Sequence, residues 1–335
     1  MTRQPANPIA VWVGILVLYV VWGSTYLGMK VAMDTMPVFV MGVFRFVPAG
    51  LILSFLVIAW NRGRIARPNR VQLRDASIVG TMLLVGGTGL VAWGEQTITT
   101  GIAALLIALV PMWLAIFGFA LYRESVQPLV GAGIVVGLMG VAILAWPAGD
   151  VGSLDPAGLL ALMVSPVFWT LGTLYATKRS VQPAPALLAS GVQMLAAGVA
   201  FAGIATVTGE WATFDVRAVS AVSWASIAYL VVAGSLVGYS TYAWLIGVAP
   251  LQRVATYAYV NPVVAVILGW LVLSEPLTPR TIVAGVVIVA AVALIVTGRG
   301  RVRPASAPEA EAAEPADAST ARPPARLPSP EERPA

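Results

Sequence analysis

The chain has 335 residues, 59% hydrophobic and 10% charged, with a mean hydropathy of +0.86; an average soluble domain is about 25% charged, so a soluble globular protein is excluded. The net charge of +5 and pI near 9.7 would suggest nucleic acid in a soluble chain, but here the basic residues lie between apolar runs and act as a topology signal. There are no cysteines and no histidines, which excludes disulfides, Cys or His metal sites, thiol nucleophiles and imidazole relays.

A bilayer core of about 30 Å takes about 20 apolar residues per helix. The first run, Ile9 to Leu27, is too long and too aromatic for a cleaved signal peptide and is followed by further spans. The next runs are Val38 to Trp60, Ser77 to Ala92, Gly101 to Tyr122, Leu129 to Trp146, Ala157 to Ala176, Leu187 to Val207, Val222 to Gly247, Val254 to Leu273 and Ile282 to Thr297. The expectation is an all-α membrane protein of ten transmembrane helices. From Pro304 the composition turns to Pro, Ala and Glu with scattered Arg, which cannot bury a core and is expected to be disordered.

Charge placement follows the ten-span count. With the N-terminus in the cytoplasm, the inner segments hold Arg3, Arg62, Arg64, Arg67, Arg70, Arg74, Arg123, Lys178, Arg179, Arg253, Arg299, Arg301 and Arg303. The outer loops hold only Lys30, Arg217 and Arg280, beside Asp34, Glu95, Asp150, Asp155, Glu210, Asp215 and Glu275. This alternation predicts both termini on the cytoplasmic side.

The chain also repeats itself. At an offset of 151 residues Ala104, Pro111 and Glu124 recur as Ala255, Pro262 and Glu275, and Ala92-Trp93 as Ala243-Trp244. At an offset of 148 residues Lys30 and Ala49-Gly50 recur as Lys178 and Ala197-Gly198. Because five helices is an odd number, the second copy enters the bilayer from the opposite side, and the expected architecture is two inverted five-helix repeats around a central cavity.

Features kept in both halves are scaffold candidates, and features confined to one half are ligand candidates. Pro111 and Pro262 break helices four and nine and free the carbonyls of Ile107 and Ala258. Such breaks either line a cavity or are packing kinks relieved by a neighbour. Tyr257, Tyr259 and Asn261 face Leu106, Ala108 and Val110 in the other half, so the aromatic and amide groups belong to the second copy alone. With Trp22, Tyr26 and Trp93 nearby they would suit a small amphipathic or aromatic molecule, whereas Trp60, Trp146 and Trp211 fit interfacial belts.

Arg45 is a cation well inside a span, where insertion costs at least about 2.5 kcal/mol. It serves either a substrate carboxylate or a structural tie to backbone carbonyls or Glu95. Glu95 is the candidate for proton coupling, with a solvated loop carboxylate as the alternative. Glu124 and Glu275 each precede a helix and are expected to stabilise its N-terminus, and Lys30 and Lys178 to anchor helix ends. Gly133 and Gly137 make a small-xxx-small face, within the monomer or at a homodimer contact. Gly86-Gly87-Thr88-Gly89 lacks a following Lys-Ser/Thr and is not a phosphate loop.

These residues resemble a known pattern. Trp22-Gly23-Ser24-Thr25-Tyr26 with Lys30, Arg45-Phe46 with Ala49-Gly50, Gly101-Ile102-Ala103-Ala104 running to Pro111, Arg123-Glu124, and Ala255-Thr256-Tyr257 to Asn261-Pro262 and Glu275 are similar to the EamA family of the drug/metabolite transporter superfamily. The resemblance covers Val11 to Thr297 and implies a cytoplasmic N-terminus over 1–8, one EamA repeat over 9–147, a second over 148–298 and a basic then Pro/Ala/Glu-rich tail over 299–335. It also implies a permease of the bacterial inner membrane that exports a small metabolite, an amino acid or drug-like amphipathic solute, by alternating access. The cycle would be secondary-active, with protons as a candidate partner, or facilitated, and needs no cofactor. The alternatives are a non-transporting sensor or assembly protein, and an integral-membrane transferase, whose catalytic His or clustered Asp the sequence lacks.

Overall fold

The computed structural model describes residues 7–145, 154–249, 251–254 and 256–300. The expectations for the N-terminal residues 1–6, for Trp146 and Asp150 and for the tail from Arg301 onward lie outside the described residues. Within them the structure is helical, with no strand. Nine helices are long and apolar enough to cross a membrane, and a tenth apolar helix is shorter. They are α1 Pro8–Ala32, α2 Val38–Trp60, α3 Arg70–Gly94, α4 Thr100–Tyr122, α5 Pro128–Ala145, α6 Pro156–Lys178, α7 Ala186–Val207, α8 Ala221–Leu245, the shorter α9 Tyr257–Leu273, and α10 Pro279–Gly298.

Local signals set the ends of these helices. The Asn7 side chain accepts from the Ile9 amide, and Pro8 supplies a φ already suited to the first turn. A capping box between Asn69 and Gln72 starts α3 a full two turns before the apolar run at Ser77. Asp155 accepts from the Gly158 amide at 2.7 Å and opens α6. Arg123 and Ser274, 151 residues apart, both take the left-handed conformation at helix C-termini.

Two helices carry π-helical segments, Thr81–Gly89 in α3 and Leu230–Tyr239 in α8. A π turn widens the helix by one residue and frees backbone groups. Each segment is glycine-rich and meets a large side chain at close range: a Cβ on Gly89 would lie 2.9 Å from the Phe201 ring, and one on Gly238 would lie 2.7 Å from Trp22 Nε1.

Helices α2 and α7 pack together closely, as do α5 and α10, α1 lies on α8 and α9, and α6 lies on α3 and α4. Gly133 and Gly140 allow the α5–α10 approach, since a Cβ at either would fall 2.6 Å from a side-chain carbon of Ile295 or Ile288. The small-xxx-small face of α5 is thus used inside the monomer. The mid-helix break expected at Pro262 is displaced. Pro262 sits inside α9, and the interruption comes before Tyr257, after a short turn of helix at Leu251–Val254. In α4 the break falls at Ala108–Leu109, directly before Val110-Pro111. Pro111 therefore occupies the first turn of a new helical segment, where its missing N–H costs nothing.

Candidate functional site

A central cavity of about 100 Å³ lies between the helices, walled by α1, α2, α3, α4, α6, α7, α8 and α9. Both π-helical segments face it, through Leu84, Gly87 and Thr88 on one side and Gly234, Ser235 and Tyr239 on the other. Of the residues singled out in the sequence, Trp22, Tyr26, Arg45, Tyr257 and Asn261 line it.

Tyr259 and Trp93 are not part of this wall. The reason for Tyr259 is helical geometry: at about 100° per residue, Tyr257 and Asn261 share a face and Tyr259 points about 200° away from Tyr257. Pro262 likewise turns away from the cavity. It lines a lateral apolar groove with Leu105, Val266 and Gly285. Pro111 lines a different space, a vestibule of about 380 Å³ that also includes Glu124 and Lys178. The vestibule shares Val110, Trp169 and Tyr257 with the central cavity, so the two are adjoining spaces.

The cavity is aromatic. The Trp22 ring meets Tyr257 at 5.0 Å and Trp169 at 6.1 Å edge-on, and Tyr242 at 5.1 Å in a tilted pair, between centroids. Edge-to-face pairs of this kind contribute about 0.5–1.5 kcal/mol each beyond burial and hold the rings in fixed orientation. The Asn261 amide, oriented to match its neighbours, donates to the backbone carbonyls of Tyr19 at 3.3 Å and Tyr257 at 3.2 Å. Asn261 therefore ties α9 to α1 while lining the cavity.

The polar contacts are few. Arg45 is 6% exposed; its Nε donates to Ser235 Oγ at 3.3 Å and its guanidinium carbon lies 4.8 Å from the Phe46 ring centroid. One terminal nitrogen of Arg45 has no hydrogen-bond partner in the protein. The Tyr239 hydroxyl donates to Gln193 Oε1 at 2.6 Å, and Ser165 donates to the Gly87 carbonyl at 2.9 Å. The sequence singles out neither Trp169 nor Ser235. The glycine clusters of the π-helical segments were the available signal for Ser235, since Gly234-Ser235 stands close to the register of Gly86-Gly87.

At the end of α3, Glu95 is fully buried, and neither of its carboxylate oxygens has a partner in the protein. Burial pushes its carboxyl well above the usual carboxylate range; the Lys30 charge and, more weakly, the Arg45 charge oppose this and the Glu275 charge adds to it. Lys30 reaches this helix end as an anchor, its Nζ donating to the backbone carbonyls of Glu95 and Gln96. At the opposite face Lys178 pairs with Glu124 at 3.1 Å.

Glu275 does not serve the helix that follows it. It accepts from the Thr100 amide at 2.9 Å and from the Thr100 hydroxyl at 2.8 Å, and so closes the N-terminus of α4 in the other half of the chain. Asp75, absent from the sequence-based candidates, plays a comparable part at the Lys178 face, accepting from the Tyr175 hydroxyl at 3.0 Å and the Val181 amide at 2.8 Å. Among the described residues no cluster of acidic side chains is arranged to hold a metal ion.

The EamA-like transporter family matches residues 10–146 and again 156–297. The inner membrane transporter YedA of Escherichia coli is 32% identical over 287 residues, covering 85% of this chain and 90% of YedA. A Synechocystis transporter, sll0355, is 24% identical over 78% of this chain and 82% of its own. The WAT1-related chloroplastic protein At3g02690 of Arabidopsis thaliana is 24% identical over 85% of this chain and 69% of its own. A solved crystal structure at 18% identity superimposes with a TM-score of 0.61, covering 88% of this chain and 99% of that one, and shares the fold.

Proposed function

The chain belongs to the EamA-like transporter family and is a membrane transporter for a small molecule, and from that premise we propose that it exports a small metabolite from the bacterial cytoplasm by alternating access. The observation that carries this reading is the adjoining of the central cavity and the vestibule. Trp169, Tyr257 and Val110 belong to both, and the vestibule ends at Glu124 and Lys178. On the Lys30 face another depression, lined by Lys30, Gln96, Thr99 and Glu275, shares no residue with the cavity. We read this arrangement as a site open toward the Lys178 face and closed toward the Lys30 face.

The positively charged connections Arg62, Arg64, Arg67, Arg70, Arg123, Lys178 and Arg179 belong to the Lys178 face, which we assign to the cytoplasm. The two states arise from two inverted five-helix halves, residues 9–147 and 148–298. Matched π-helical segments, matched left-handed residues before Glu124 and Glu275, and the reciprocal packing of α1 on α8 and α9 and of α6 on α3 and α4 support that relation. Trp22, Tyr26, Tyr257 and Asn261 bind the solute's body. Glu95 is the proton-linked group: buried and raised, it gives up its proton only in a state that admits water.

The test is solute counterflow in proteoliposomes of the full chain against a panel of amino acids, sugars, organic acids and cationic drugs, with and without a pH gradient. Accumulation of at least one labelled solute above protein-free liposomes is expected. Uniform absence of counterflow would favour a sensor or assembly role.

A further inference from the structure

The wall of the central cavity carries one kind of charge. Among its described lining residues Arg45 is cationic and no Asp or Glu is present. A buried guanidinium needs either a structural partner or a ligand, because removing its charge from water is costly. The structural partner is incomplete: Nε is held by Ser235, while one terminal nitrogen is buried without a partner. Glu95 is close enough for its charge to act on Arg45, but it makes no ion pair with it among the described residues, whose pairs are Arg74–Asp75 and Lys178–Glu124. The carboxyl of Glu95, moreover, is held in the protonated direction by its own burial. The protein therefore leaves Arg45 without a direct ionic partner in the wall of an aromatic chamber.

We propose that Arg45 is the seat of a carboxylate, and that the transported solute is a small organic monocarboxylate with an apolar or aromatic body and no ammonium group. The guanidinium offers a planar fork that matches a carboxylate in two parallel bonds. Ser235 and the Phe46 ring fix its orientation, at 3.3 Å and 4.8 Å. The absence of any acidic residue from the wall leaves an ammonium without a counter-charge, which sets zwitterions and cations at a disadvantage. Size agrees with this reading. An apolar cavity of about 150 Å³ takes a benzene ring, so a space of about 100 Å³ holds the carboxylate head, and the body extends past Trp22 and Tyr257 toward the vestibule.

This inference rests on the transporter reading for its physiological meaning, but its test is binding and does not require transport. Calorimetric titration of the detergent-solubilised full chain would use a graded set of monocarboxylates from lactate to 3-phenylpropionate, each beside its neutral amide, together with phenylalanine and phenethylamine. At least one carboxylate is expected to bind about tenfold or more tighter than its amide, and that preference is expected to vanish in Arg45→Gln and to survive in part in Arg45→Lys. Size-exclusion profiles and unchanged binding of the amide show that the variants are folded. If Arg45→Gln does not fold, Ser235→Ala replaces it and is expected to narrow the carboxylate preference. No carboxylate preference in the wild type, or a preference retained in Arg45→Gln, overturns the proposal. Arg45-dependent binding without counterflow of any solute would leave the seat standing and remove the transporter reading; counterflow of neutral or cationic solutes alone would do the reverse.

Discussion

Glu275→Ala perturbs one junction between the two halves and leaves the cavity wall untouched. The N-terminus of α4 has no cap from Thr99, and four backbone donors at a helix start need outside partners. Glu275 supplies them for Thr100, whose side chain and backbone are fully buried. Truncation to Ala leaves the Thr100 amide and hydroxyl without protein acceptors. An unsatisfied buried donor costs about 1–3 kcal/mol, and water entering from the depression that Glu275 itself lines offsets part of this. A net loss of about 2–4 kcal/mol follows. Glu275→Gln keeps one acceptor oxygen but loses the charge, and is expected to cost about half as much. For a chain of this size each kcal/mol moves the midpoint by about 2 °C, so thermal unfolding in detergent should fall by about 4–8 °C for Ala and about 2–4 °C for Gln. A midpoint for Glu275→Ala within about 1 °C of the wild type would refute the idea that this carboxylate holds α4.

Glu95 predicts a pH dependence of definite sign. Its carboxyl is raised in the fold by burial, so the folded state keeps a proton that the unfolded chain gives up in the ordinary carboxylate range, and stability falls as pH rises from there toward the folded value. Glu95→Gln removes that slope and is expected to stabilise the protein at neutral pH, measured as unfolding midpoint against pH; an unchanged slope would contradict it. The same variant is expected to lose pH-driven transport while exchange continues. Tyr257→Ala removes the ring that meets Trp22 at 5.0 Å and is expected to weaken solute binding by about tenfold, whereas Tyr259→Ala, on the opposite side of α9, is expected to change it by less than about twofold; equal effects would dissolve the distinction, which binding titrations of the two variants measure.

Much of the fold was legible because apolar run length and alternating charge are strong signals in a membrane chain. The ends were less legible. The start of α3 was hidden because Arg70 to Asp75 are polar, and only the Asn69–Gln72 capping box reveals the helix there. The cavity wall was less legible than the break near it. Pro262 drew attention as a break, yet it lies within α9 and faces the lateral groove, while its neighbour Asn261, about 100° away around the helix, faces the cavity. Asn261 and Tyr257, singled out because they lack counterparts in the other half, and Arg45, singled out as a cation inside a span, all line the cavity. Tyr259 passed the same filter as Asn261 and Tyr257 but helical phase turns it off the cavity wall, which a comparison of residues alone does not encode. Glu275 serving a helix 175 residues earlier is a tertiary contact that no local spacing announces.

The alternating-access claim has a direct test, because the chain has no cysteines of its own. Thr88 lines the central cavity from the π-helical segment of α3, and Thr88→Cys gives a single thiol there at little change in volume. Labelling by a membrane-impermeant thiol reagent would be followed separately from each side, in right-side-out and inside-out vesicles. The expected result is modification from both faces, slowed by a bound solute. Modification confined to one face, with or without solute, would contradict the account.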